Sequence, residues 1–132
     1  MTTSISTPRL RTFAAWGLQG LLAAAFAAVG ASKLLGVPAM VELFDGIGVG
    51  QWFRYVTGLV EIRGAALLLV PGLAAAGAAL LSATMVGAVL THLSLVGGSP
   101  VPALVLLALN LAVLALRRDQ MNALRAQLLP GH

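Results

Sequence analysis

Between Arg11 and Lys33 the chain runs for 21 residues without a charged side chain. At ~1.5 Å per residue that is about 30 Å of helix, the thickness of a bilayer's hydrocarbon core. Similar apolar stretches recur, and turn residues separate them: Pro71-Gly72, then Gly97-Gly98-Ser99-Pro100. Only 9% of the 132 residues are charged and 59% are hydrophobic, and the mean hydropathy is +0.97. Such a chain lacks the polar surface of a soluble domain. The reading is an all-α integral membrane protein, one domain over residues 1–132, built as a four-helix bundle. Its expected spans cover residues 12–35, 53–70, 73–96 and 101–118. A cleavable signal has an apolar region of about 7–15 residues, shorter than the first run, which is therefore read as a retained span.

The sequence pI of 11.3 suggests nucleic-acid binding, but the net charge is only +4. Five of the eight basic residues lie near the two ends: Arg9, Arg11, Arg117, Arg118 and Arg125. That is flank charge on a membrane protein, so no nucleic-acid partner is expected. Four spans place both termini on one side. The positive-inside rule makes that side the cytoplasm, in the inner (plasma) membrane. Residues 36–54 interrupt the pattern with Pro38, four glycines, Glu42, Asp45 and Arg54. Met40, Leu43 and Phe44 fall on one helical stripe, and Trp52 and Phe53 suit an interface. A short interfacial helix or a re-entrant segment is expected there. In the tail 117–129, Met121, Leu124 and Leu128 share a face. The tail is thus an amphipathic surface helix or a continuation of the fourth span. Two stripes of small residues at four-residue spacing, Gly20-Ala24-Ala28-Ser32 and Ala75-Ala79-Ala83-Gly87-Thr91, are expected to pack within the bundle or to join copies of the chain.

Ionisable groups within apolar segments are costly, and they are the first candidates for function. Span one travels outward, so Lys33 reaches the outer end. Span two travels inward, placing Arg54 near the outer surface and Glu61 about 12 Å below it. Span three ends outward, with His92 roughly 6 Å deep. Four groups from separate segments therefore share the outer half of the bilayer. A carboxylate in hydrocarbon needs a cation or a proton, and Lys33, Arg54 and His92 are the available partners for Glu61. Arg63 lies about 200° round the helix from Glu61 at a depth of about 15 Å, close to that of Asn110. It pairs with Asn110, faces a neighbouring subunit, or closes the floor of a pocket. Gln19 suits a helix–helix hydrogen bond, and Trp16 an interface anchor.

Several chemistries fit this set. Glu61 and His92 are candidate catalytic residues, exchanging a proton and a hydrogen bond with a lipophilic molecule in an outward-facing cleft lined by Lys33, Arg54, Glu61, Arg63, His92 and Asn110. Alternatively they serve acid–base turnover such as isomerisation, cyclisation or epoxide opening. A third reading makes Glu61 the acceptor of a structural polar staple in a scaffold or assembly factor, and a conducting pathway is a fourth. No Walker motif, GxSxG, HExxH or dinucleotide fingerprint occurs, and no metal site is expected. Two histidines, His92 and His132, are too few for the bis-histidine haem ligation of a membrane cytochrome within one chain. The chain has no cysteine, which excludes dithiol chemistry of its own.

The order AxxGASKLLG, then GLVEIRGAALLLVPGLAAAGAALL, then GAVLTHL, then an apolar span ending in Arg117-Arg118, resembles the DoxX-like membrane proteins over residues 16–118. The resemblance rests on the Gly30–Lys33–Leu34 junction, the Glu61 segment ending at Pro71, and the Thr91-His92 pair. It implies a four-helix membrane bundle. The family's namesake is similar to the membrane subunit of a thiosulfate:quinone oxidoreductase. Related proteins are linked to oxidative-stress complexes and, in animals, to assembly of a neurotransmitter receptor. The resemblance thus implies a quinone as ligand or cofactor and a membrane redox subunit as partner, with Lys33, Glu61 and His92 matching the family's polar pattern.

Overall fold

A computed structural model describes residues 3–128, with side chains from residue 9. The outermost tail residue, Leu129, and His132 lie outside the described residues. Six helices follow one another, and no strand occurs among the described residues. They are α1 (Thr3–Leu35), α2 (Pro38–Ile47), α3 (Trp52–Leu69), α4 (Ala74–Thr91), α5 (Val101–Leu116) and α6 (Arg118–Leu128). A π-helical turn, His92–Val96, prolongs α4.

The connections follow from local chemistry. Gly36 takes φ 71°, the left-handed conformation that lets Val37 N–H donate to Ser32 O at 3.1 Å and closes α1. Pro38 then opens α2 at a position where no backbone donor is missed. Between α3 and α4, Leu73 N–H donates to Val70 O at 3.1 Å, with Pro71 and Gly72 (φ 85°) at the turn's centre. Proline followed by a positive-φ glycine is the chemistry of a type II turn.

Short connections make sequential helices antiparallel neighbours. α3 packs on both α1 and α4, and α5 packs on both α4 and α1. Leu22, Phe26, Leu68, Leu81, Met85 and Val113 meet in the apolar core. Two glycine pairs set how close the backbones come. A Cβ on Gly30 would fall 2.9 Å from Gly58 O, and one on Gly77 2.9 Å from Gly64 O. The four-residue stripes do not do this work: Ala24, Ala28, Ala83 and Gly87 are exposed. A spacing of four residues drifts by about 40° per step on an α-helix, so those stripes wander off the packed face. The buried face of α1 instead runs through Ala15, Gln19, Leu22, Phe26 and Gly30.

Large apolar side chains cover the outside as well. Phe13, Leu21, Leu59, Leu90, Leu93 and Leu111 are all exposed. A helix apolar all round belongs in a larger core or in lipid. Arg9–Leu35 and Ala74–Val96 are long and apolar enough to cross a membrane. α5 and α6 join at a 73° bend and make a third candidate only if taken together. That bend separates α6 from α5, so the tail is a helix of its own and the apolar segment ends at Leu116, short of the expected residue 118. α3 matches the second expected segment in position, but its 18 residues carry Arg54, Glu61 and Arg63.

Candidate functional site

The site begins where α1 stops. Helix α1 leaves its last carbonyls without intrahelical partners. Arg54, in the first turn of α3, answers one of them by donating from Nη1 to Lys33 O. Its Nε donates to Gln51 Oε1 at 2.7 Å, and its guanidinium lies 4.4 Å from the Tyr55 ring centroid. A cation at a helix C-terminus also meets the negative end of the macrodipole. Arg54 is thereby committed to capping α1 and does not reach Glu61.

Glu61 receives Lys33 instead. The Lys33 ammonium donates to Glu61 Oε1 in an ion pair that joins α1 to α3. The Glu61 side chain is 1% exposed and that of Lys33 12%. The pair can form because Gly30 and Gly58 bring the two helices together one turn away on each.

Beside the pair lies a cavity of about 140 Å³. Lys33 of α1, Phe44 of α2, Phe53 and Thr57 of α3, and Thr84, Met85 and His92 of α4 and its π turn form its wall. Glu61 stands behind Lys33 and is not part of that wall, whereas His92 is. α2 roofs the cavity: Phe44 is its buried residue and meets Phe53 edge-on at 5.9 Å between centroids. The segment between α1 and α3 is therefore helical, seated against the π turn, where Gly46 leaves room for Val96.

The donors and acceptors of this wall are unequal. Thr57, Thr84 and Thr91 each donate their hydroxyl to a carbonyl of their own helix, at 3.1, 2.9 and 2.8 Å. They offer only lone pairs to a ligand. His92 Nδ1 is 2.9 Å from Gly97 O. A carbonyl only accepts, so Nδ1 carries the proton and Nε2 of the neutral ring is an acceptor. The Lys33 ammonium has three donors and spends one on Glu61. The wall thus combines the Lys33 ammonium and the His92 ring with apolar and aromatic side chains. A cavity of roughly 150 Å³ accommodates a benzene ring, so this one takes a single six-membered ring.

The other expected residues lie elsewhere. Asn110 is buried and donates Nδ2 to Leu106 O at 2.9 Å, while its Oδ1 has no partner among the described residues. Arg63 is exposed and pairs with neither Asn110 nor any other described side chain. At the opposite end a second polar layer appears. Gln19 Nε2 donates to Leu68 O at 2.7 Å and Arg117 Nε donates to Gln19 Oε1 at 2.8 Å, with Arg117 also 5.5 Å from the Trp16 ring. Gln19 is the helix–helix hydrogen-bonding residue expected of it. Sequence reasoning overlooked Thr57, Thr84 and Met85. Thr84, Ala88 and Thr91 at steps of four and three do mark a face leading towards His92, and that signal could have found the α4 side of the cavity.

Among known protein families, the DoxX-like family matches residues 17–116. The chain belongs to the DoxX-like family. The matched span holds every wall residue of the cavity, the Lys33–Glu61 pair and Arg54. It stops at the bend before α6. No curated protein and no solved structure matches this DoxX-like chain.

Proposed function

We propose that this chain is a four-span membrane bundle that binds the head ring of a lipophilic molecule, a quinone or its quinol, as the membrane component of a redox or detoxification system. Its termini face the cytoplasm and the cavity lies towards the outer leaflet of the inner membrane. α3 qualifies as a span despite its charges because Arg54 and Glu61 are buried against neighbouring helices and only Arg63 faces outward. One observation carries the reading: a ring-sized cavity whose wall holds the Lys33 ammonium and the His92 ring. A quinone carbonyl accepts from Lys33, and a quinol hydroxyl donates to His92 Nε2. Phe44, Phe53 and Met85 pack the ring. The partly exposed wall residues on α3 and α4 leave an exit for an isoprenoid tail into lipid. The bound group supplies the electron chemistry, and this chain's residues orient it, keep water away and hold a proton at His92.

Glu61 holds Lys33 in place from behind, which makes it a positioning residue in this scheme. Acid–base turnover by Glu61 finds less support, because its carboxylate is enclosed and engaged. The test is a titration of a short-chain quinone into purified protein in nanodiscs. Thr84→Phe fills the cavity and should abolish binding. Glu61→Gln frees the lysine from its anchor and should weaken binding at least tenfold. Binding that is absent in the wild type, or equal in wild type and both variants, refutes the proposal.

A further inference from the structure

At the end of the protein opposite the ring-sized cavity, α6 leaves α5 at 73° and crosses the start of α4. It is tied there by Gln120, whose Oε1 accepts from Ala75 N–H at 3.1 Å. Beneath this crossing runs a groove of about 620 Å³. Ala76 and Ala79 of α4 form its floor, and Met121, Leu124 and Leu128 of α6 form one wall. Asn122 and Arg125 stand at the rim. The groove is left open: Leu128 is 78% exposed and Met121 39%.

The neighbouring arginines differ in how far they are committed. Arg11 donates to Leu116 O at 3.0 Å and lies 3.9 Å from Asp119, and Arg117 is held by Gln19 and Trp16. Arg125 has no ion pair or hydrogen bond among the described residues. A guanidinium without a partner among the described residues, lining an apolar groove, is the complement of a phosphate with its acyl chain. A second copy of the chain is a poor occupant, because this end carries Arg9, Arg11, Arg117, Arg118 and Arg125 against Asp119 alone.

We propose that the α4–α6 groove holds one acidic phospholipid, with an acyl chain along Ala76 and Ala79 and the phosphate on Arg125 and the Asn122 amide. The small side chains of the floor make the slot, and the Gln120–Ala75 tether keeps α6 over it. The lipid fixes α6 in the membrane plane.

The experiment uses the full chain in equimolar phosphatidylcholine–phosphatidylglycerol vesicles, extracted gently and weighed by native mass spectrometry. The wild type should keep one phosphatidylglycerol per chain and lose phosphatidylcholine. Arg125→Gln, an exposed position, should lower phosphatidylglycerol retention about fivefold, the weight of one arginine near an acidic surface. Ala79→Phe fills the floor with every arginine in place and should also release the lipid. Helix content by circular dichroism confirms that each variant is folded. Equal retention of both lipids by the wild type overturns the proposal, as does undiminished phosphatidylglycerol in Arg125→Gln. Displacement by soluble glycerol phosphate as effective as by the lipid overturns the acyl-chain part. Neither variant touches the quinone cavity, so the two readings fail independently.

Discussion

Breaking the Lys33–Glu61 pair from either side should cost much stability, and breaking it from both sides little. Removing one member of a buried ion pair typically costs ~3–5 kcal/mol, because the other charge stays buried without a partner. Replacing both members by apolar side chains of similar size is often neutral or even stabilising. The exposures rank the two single changes. Lys33→Met strands a carboxylate that is 1% exposed and should fall at the upper end, ~5 kcal/mol. Glu61→Leu strands an ammonium that is 12% exposed and already borders the cavity, so its cost should fall at the lower end, ~3 kcal/mol. The double variant Lys33→Met/Glu61→Leu should return to within ~1 kcal/mol of wild type. The assay is reversible unfolding in mixed micelles titrated with a denaturing detergent, followed by helical circular dichroism. Independent sites add to within about 0.5 kcal/mol. Additive single effects, or Glu61→Leu costing more than Lys33→Met, refute the pairing and the depth assignment behind it.

Three further substitutions probe the helical framework. Gly77→Ala puts a Cβ 2.9 Å from Gly64 O and 3.0 Å from Leu68 N, backbone atoms that cannot rotate away, and should destabilise the fold by ~1–3 kcal/mol in the same assay. Gly87→Ala, where nothing lies within 4 Å, is its control and should be neutral or slightly stabilising. Arg54→Met removes the donor to Lys33 O and the contact with Tyr55, and should cost about 1–2 kcal/mol. Its signature is local: hydrogen exchange at the α1 C-terminus, around Ser32 to Val37, accelerates while the α4–α5 core keeps its protection. A uniform loss of protection would count against a capping role for Arg54.

The sequence by itself determined that this is a membrane chain of apolar helices, because periodic charge is missing and hydrocarbon-length runs recur. It also placed the turns at Pro71-Gly72 and Gly97–Pro100, and the helical stripe of Met40, Leu43 and Phe44, since those signals are local. It marked Lys33, Arg54, Glu61 and His92 as candidates for one group, because ionisable side chains stand out in apolar segments and the expected topology put them at similar heights. Only the tertiary structure decided how the group divides. Lys33 and Arg54 are both cations within reach of Glu61 along the helix axis. Which one arrives depends on the direction in which α1 ends and on the closeness that Gly30 and Gly58 allow. Rotation about each helix axis was likewise invisible, so the small-residue stripes look equally fit to pack inside or to face outward. The cavity needed most of all the third dimension. Its wall comes from four helical segments, and residues such as Thr57, Thr84 and Met85 are ordinary in sequence and acquire meaning only where separate segments converge.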